Sequence, residues 1–318
     1  MTPQRPLQQA DGRSPYAIDH LRVIPKLHYG RWVSIAVIVV IFAFIIKAFA
    51  QGQIEWPIVA RFLTAKVILQ GLVNTLAMTV YAMTLGIVLG VIFAIMYMSP
   101  NPVVRAVAKF YIWFFRGTPL LLQLLLWFNL ALIFPTLGVP GFEMRTVDLI
   151  TPFMAALLGL GIGQGAYTAE VVRGGILSVD DGQIEAAQAI GMTRLTALRR
   201  IVLPQAMRVI IPPVGNEVIS MIKLTSVASV IQFSEILHNA QTIYFANGRV
   251  IELLIVATIW YLFVVTLFSI GQHFLEKAFA QGRARKRAAA GPIDKTPSGV
   301  AVPALAPGAT GPASGREA

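Results

Sequence analysis

Five of the polar side chains in the largely apolar run 205–232 lie close together, and their spacing limits the chemistry available there. Asn216, Ser220 and Lys223 follow i, i+4, i+7 and share one helix face, with Glu217 and Ser226 beside the same stripe. A lysine at mid-membrane costs roughly 2.5–3.5 kcal/mol on insertion scales, so such residues usually face protein or water. With Glu217 toward an ammonium and Lys223 toward a carboxylate, the stripe could line a path for a zwitterionic solute. A polar contact between subunits, or snorkelling to lipid headgroups, carries equal weight, since buried polar groups often only satisfy one another. Gln123 and Gln164 are weaker path candidates, and helix–helix hydrogen bonding is the favoured reading for both.

Other chemistry is poorly supplied. The chain has no cysteine, which excludes disulfides, thiolate metal sites and cysteine nucleophiles. His20, His28, His238 and His273 are far apart and show no metal-ligand spacing. No Gly-Lys pair occurs, so the chain carries no P-loop, and ATP-driven work would need a separate subunit. "GLGIGQG", 159–165, superficially resembles a nucleotide fingerprint, but no strand–helix unit surrounds it and close helix packing explains the glycines better. A membrane-embedded enzyme would need clustered His, Asp or Glu, which the apolar runs do not offer.

The elements that would position the stripe are membrane spans. The composition is 56% hydrophobic and 13% charged, with a net charge of +11. The basic excess sits in short loops and at the termini, as positive-inside retention places it, and argues against a nucleic-acid partner. Residues 1–31 read as a polar cytoplasmic tail and 32–50 as an amino-terminal transmembrane anchor. Ala48-Phe49-Ala50 resembles a signal-peptidase site, but the long region ahead of the run favours an uncleaved anchor. Residues 54–70 read as an interfacial helix. Spans are expected at 71–98, with a Gly86-x-x-x-Gly90 contact face, and at 116–134, with Thr118 as N-cap and Pro119 in the first turn. Three more are expected at 150–176, at 205–232 broken by Pro212-Pro213, and at 251–275. The basic connectors 99–117 and 174–204 and both termini would be cytoplasmic, whereas 135–149 and 233–250, with one basic residue each, would be external. From 280 to 318 the composition turns to "RARKR" and then Pro, Gly, Ala and Ser, which reads as a disordered tail whose basic cluster binds anionic membrane lipids.

One segment lies at the inner surface rather than across it. In "IEAAQAIGMTRLTALRRIVLP", 184–204, a helix starting in a capping-box-like Ser178-x-x-Asp181 runs to Ile190, and Gly191 offers a left-handed turn. Thr193 caps a second helix, with Leu195, Leu198 and Ile201 on one face, and Pro204 marks a break. Such a projection can transmit force to a docked protein.

Glu185-Ala186-Ala187, Gly191, Ile201 and Leu203-Pro204 fall at the spacing of the EAA loop, and here the chain resembles the permease subunits of bacterial ABC importers. "FRGTPLLLQL" (115–124), "GAYTAEVVRGGI" (165–176) and "LPQAMRVIIPPVGNEVISMIKLTSVASVI" (203–231) are similar to the polar amino acid branch, the histidine and glutamine permease type. The resemblance covers about residues 68–280. It implies an all-α polytopic fold, a five-helix permease core preceded by the extra anchor, within a permease domain 51–279 whose coupling loop is 178–204. It also implies partners: a dimer of ATP-binding cassette subunits that carry ATP and Mg, a periplasmic amino acid-binding protein, and a second permease, identical or sister. This chain itself would bind no cofactor and catalyse nothing. Glu185, Ala186, Ala187 and Gly191 would seat the loop in the ATPase, with Leu203 and Pro204 joining it to the next span. Two departures stand out: the first anchor, and Leu224, where the resemblance leads to the expectation of a polar residue. The rival is a secondary transporter or channel that uses Glu217 and Lys223 as an ion relay.

Overall fold

The structure, a computed structural model, describes residues 29–52, 54–139 and 141–289. The sequence readings for 1–28 and 290–318 lie outside the described residues. The chain divides into a stretch ending at Glu55 and a stretch beginning at Trp56. In the first, α1 (Tyr29–Gln51) is a 23-residue helix whose apolar side chains are exposed all round, with none buried. A helix that is apolar on every face fits a lipid surround.

In the second stretch, the reading of 54–70 as one helix is corrected to two. α2 (Trp56–Leu63) stops before Ala65, whose extended backbone starts α3 (Lys66–Tyr97). Ser99-Pro100 ends the helical run and Asn101 begins α4 (Pro102–Gly117), its Oδ1 accepting from the N–H of Val103 at 2.9 Å. Pro102 fits the first turn because it has no N–H to leave unpaired there.

A single span over 116–134 is not what forms. α4 bends by 102° into α5 (Leu120–Phe128), only nine residues long, followed by a 3-10 turn at Leu130–Leu132. Thr118 is not an N-cap: its Oγ1 donates to the carbonyl of Phe114 and closes α4, and Pro119 forbids the next helical hydrogen bond. The loop beyond folds into an antiparallel hairpin, β1 (Thr136–Val139) with β2 (Phe142–Arg145), turned by Gly138 at φ 144° and Gly141 at φ 92°. A single helical turn, α6 (Thr146–Leu149), leads to α7 (Pro152–Leu177), capped by Thr151.

The projecting segment has α8 (Asp181–Ala189), capped by Asp180 rather than Ser178; Ser178 instead donates to the carbonyl of Gly175 at the end of α7. Gly191 takes φ +80°, and Thr193 caps α9 (Arg194–Ala197) as its sequence position suggests. No break occurs at Pro204. Leu198–Val202 form a π turn, with the Leu203 N–H donating to Leu198 O, and α10 (Leu203–Leu224) follows without interruption. Widening the turn makes room for a proline ring that would otherwise press on the carbonyl four residues back. Pro212-Pro213 likewise leave α10 continuous, and the Pro212 carbonyl takes a hydrogen bond of 2.8 Å from Gln272 Nε2. The helix changes character later, in a 3-10 stretch at Thr225–Ile231 that ends on Gln232 at φ 62°. α11 (Ile236–Asn247) occupies most of the connector 233–250, and α12 (Val250–Ala289) runs on through 280–289.

Four described helical stretches are long and apolar enough to cross a membrane, five if the bent α4–α5 pair counts as one. α7 is 26 residues long, about 39 Å at 1.5 Å per residue, and sits at the centre of the bundle. Lipid tails are as apolar as leucine, so close packing rather than the hydrophobic effect must hold such helices together. Glycines provide it. A Cβ on Gly86 would lie 2.6 Å from Gln164 Cγ, and one on Gly90 2.7 Å from Thr168 Cβ, so the Gly86-x-x-x-Gly90 face is where α7 lies. In return, a Cβ on Gly161 or Gly165 would strike Leu85 or Tyr111 Oη, which accounts for the glycine-rich run on α7 without any nucleotide. We expect Gly90→Leu to cost about 1–3 kcal/mol by overpacking. This would read as a lowered Tm of the detergent-solubilised protein; an unchanged Tm would contradict the packing.

Candidate functional site: a polar-walled cavity and an exposed elbow

The pairing of α3 with α7 sets the directions of everything else. Gly86 meets Gln164 and Gly90 meets Thr168, so the two helices run in the same direction, and the end of α7 beyond Gly175 is approached by the start of α10 at Ile210. α5 runs back along α7, with Gln123 beside Gly163 and Leu124 against Gly159. Between α5, α7 and α10 lies a cavity of about 320 Å³, at the lower end of the range for small-molecule sites. Its polar wall is Gln123, Gln164, Tyr167, Glu217 and Ser220, with Thr118 at the α4–α5 bend; Leu160, Met221 and Leu224 are among the apolar side chains that close it.

Each polar group is held by its element. Glu217, on α10, accepts from Gln164 Nε2 at 2.8 Å and from Thr168 Oγ1 at 2.9 Å, both on α7. Gln164 also donates to Thr168 Oγ1 at 3.1 Å, so the three form a closed triangle across two helices. Neither donor is charged, and the carboxylate keeps acceptor capacity toward the cavity. Gln123 is 4% exposed and donates from Nε2 to the carbonyls of Phe115 and Thr118, both at 3.0 Å, which ties down the bend. Its Oε1 is buried with no partner among the described residues. A buried acceptor without a donor costs about 1–3 kcal/mol. Among the described residues the cavity wall thus presents one carboxylate, that of Glu217, and no lysine, arginine or histidine.

The stripe read from the sequence therefore divides. Glu217 and Ser220 face the cavity, together with Gln123 and Gln164 from other helices. Asn216 is exposed and donates to Glu276 Oε1 on α12 at 3.1 Å, and Lys223 is exposed away from the cavity lining. The i, i+4, i+7 periodicity identifies a face, but α10 is contacted on several sides, and neighbouring positions turn to different neighbours. Thr168 and Tyr167 are site residues that the sequence reading does not single out. Their signal was weak, since a threonine and a tyrosine in a span are ordinary, although their place one turn from Gln164 is visible in retrospect.

At the shared end of α3 and α7, Glu170 Oε2 pairs with Arg173 at 2.6 Å and Glu170 Oε1 with Arg116 at 3.7 Å. The Arg116 guanidinium stacks over Tyr167, 5.4 Å from the ring centre, and that of Arg173 over Tyr97 at 5.0 Å. This network joins α4 to the wall of the cavity.

The elbow α8–α9 leaves the same end. Ala187, 2% exposed, and Ala197, 3% exposed, pack inward, with the Met192 N–H donating to Ala187 O across the turn. Glu185, Ala186 and Gly191 are exposed, as are Leu203 and Pro204, and Ile201 is half-buried. Ile190 is 78% and Leu195 75% exposed, which makes an apolar tip on a polar segment.

At the opposite end, Glu235 is fully buried and caps α11, accepting from Leu237 N at 2.7 Å, His238 N at 2.6 Å and Tyr261 Oη at 2.5 Å. Burial pushes its carboxyl up to about 7, against the pull of those three donors. A raised folded-state value means that the folded protein holds the proton over a pH range in which the unfolded chain has lost it. The associated stability is complete below the ordinary value of 4.5 and is lost as pH rises through about 7. We expect the Tm of the purified protein to fall from pH 5 to pH 8 and this dependence to flatten in Glu235→Gln; a parallel fall in the variant would assign it to other groups.

Comparison with known proteins sets these features in context. Residues 86–281 match the family model described as "Binding-protein-dependent transport system inner membrane component". The arginine transport system permease protein ArgU of Corynebacterium glutamicum is 40% identical over 282 residues, covering 88% of this chain and 89% of that protein. The L-cystine transport system permease protein TcyB of Bacillus subtilis is 38% identical, covering 71% of this chain and 88% of its own. Among solved structures, "Crystal structure of an amino acid ABC transporter with histidines" superposes with a TM-score of 0.59 at 36% identity, over 67% of this chain and 94% of that one.

Proposed function

We propose a mechanism from the premise that this chain belongs to the binding-protein-dependent transport inner membrane component family and is a permease subunit of an amino acid ABC importer. It is a multi-pass inner-membrane protein, and its family works with an ATPase and a binding protein. In our reading, the cavity is this subunit's section of the translocation path. Its solute is an amino acid carrying a basic side chain, with Glu217 receiving the cationic group. The observation that carries this is the wall itself: one carboxylate, with no base beside it among the described residues. The name of the arginine permease relative agrees with it.

Coupling runs through the elbow. The end bearing Arg116, Arg173, Arg194, Arg199 and Arg200 faces the cytoplasm by charge retention. Its apolar tip at Ile190 and Leu195, flanked by Glu185, Ala186 and Gly191, seats in one subunit of a separate ATPase dimer that carries ATP and Mg. Because α9, the π turn and α10 are one uninterrupted helical run, a push on the tip reaches Glu217 as a rigid-body movement. Leu203 and Pro204 lie within this run as part of the lever. A second permease, self or sister, completes the path, and a periplasmic binding protein delivers the solute.

The test is ligand protection of the purified permease assembled with its ATPase. L-Arginine should raise the Tm and L-glutamate should not. Equal protection by glutamate would overturn the assignment of a basic amino acid.

A further inference from the structure

The amphipathic helix α4 belongs to none of the parts described so far except at its last residues. It has three stripes. Ala108, Tyr111 and Ile112 are buried against the bundle. Val103, Val107, Phe110 and Phe114, at i, i+4, i+7 and i+11, form an uncovered apolar stripe, with Trp113, 71% exposed, at its edge. Arg105, Lys109 and Arg116, at i, i+4 and i+11, form a basic stripe, and the helix has no acid of its own. Arg105 turns its guanidinium to the carbonyl of Ser99, Lys109 lies over the Tyr97 ring, and Arg116 shares Glu170 with Arg173. Positive charge thus exceeds negative along this edge.

Orientation follows from the bend. α3 is a span, and α5 runs back along α7 from the same end, so the 102° turn between α4 and α5 lays α4 across the end of the bundle rather than along it. A helix in that plane with an apolar stripe, an aromatic edge and a basic stripe has the build of an interfacial helix. We propose that α4 is a binding surface for anionic phospholipid: the Val103–Phe114 stripe takes acyl chains, and the Arg105–Lys109 stripe takes phosphate headgroups. Charge complementarity selects an anionic lipid over a neutral one, and the adjoining apolar stripe selects a lipid over a free anion. The occupied surface holds α4 in the headgroup layer and with it Phe115 and Thr118, which line the cavity, and Arg116, which stacks on Tyr167 of its wall. Lipid at α4 therefore fixes the shape of the path at its bend.

Because the chain contains no cysteine, Trp113→Cys gives a single site for a nitroxide label. In the assembled importer in phosphatidylglycerol vesicles, the label should be relaxed by molecular oxygen and shielded from a water-soluble nickel chelate. Access by the chelate, or shielding from both reagents by a second copy or by the ATPase, overturns the proposal. Native mass spectrometry gives the second readout. The wild-type assembly should retain phosphatidylglycerol in preference to phosphatidylcholine, and Arg105→Gln with Lys109→Gln should weaken retention about fivefold per charge removed. Unchanged retention in that variant, or complete displacement of the lipid by inorganic phosphate, contradicts the two-stripe site.

Discussion

Glu217→Gln should remove arginine protection and cut uptake by about a hundredfold while the importer still assembles. Among the described residues Glu217 is the single acidic or basic residue on the cavity wall, and its two donors, Gln164 and Thr168, are neutral. Removing one partner of a desolvated charge pair typically costs 2–5 kcal/mol, and about 3 kcal/mol is roughly two orders of magnitude in affinity. The amide preserves shape and can still accept from Thr168, so the helix contact survives and the loss reports on charge. Solute-independent ATPase activity of the assembled complex is the control and should be retained. Full uptake by Glu217→Gln would remove this residue from the path. Gln123→Leu extends the argument: it removes both the unmatched Oε1 and the two bonds that tie the α4–α5 bend. It should therefore affect affinity and stability together, where Glu217→Gln affects affinity alone.

Leu195→Asp and Gly191→Asp should abolish coupled uptake and leave the membrane core intact. Leu195 is 75% exposed and a Cβ on Gly191 meets nothing within 4 Å, so neither change disturbs packing in this chain. At Gly191 the backbone stands at φ +80°, which costs an L-residue roughly 1–2 kcal/mol. A carboxylate buried without a partner in the seated interface costs about 3–5 kcal/mol, enough to reduce docking more than a hundredfold. Thermal stability of the permease alone should stay near wild type in Leu195→Asp and fall in Gly191→Asp by no more than that backbone cost. Ala187→Asp is the contrasting variant. Ala187 is 2% exposed and packs under the turn, so its replacement should unfold the elbow itself and lower proteolytic resistance there. If the Leu195 and Gly191 variants transport normally, the elbow is not the contact.

The long apolar runs made the all-helical membrane class plain from composition, and the Gly86-x-x-x-Gly90 face announced a close neighbour. What composition could not show was where helices bend. Thr118-Pro119 reads equally as the start of one helix or the end of another, and only the neighbours decide: Gln123 holds the carbonyls of Phe115 and Thr118 and makes it a corner. Prolines misled in the opposite direction. Pro204 follows a π turn and Pro212 gives its carbonyl to Gln272, so backbone groups that a lone helix would leave unmatched find partners. The same limit applies to the site. Glu217 and Ser220 were legible as polar residues in a span, but Asn216 turns to Glu276 because α12 packs there, a fact of tertiary arrangement with no local signature.

Transport requires one connection, from the α8–α9 elbow to a nucleotide hydrolase and through α10 to the cavity. A single cysteine at Glu185→Cys, in a chain that otherwise has none, tests it directly by site-specific cross-linking in inverted membrane vesicles containing the whole importer. Cross-links to the ATPase subunit should form, with a yield that changes between ATP-bound and nucleotide-free states. Labelling of that cysteine only from the periplasmic side, or cross-links that never include the ATPase, would contradict it.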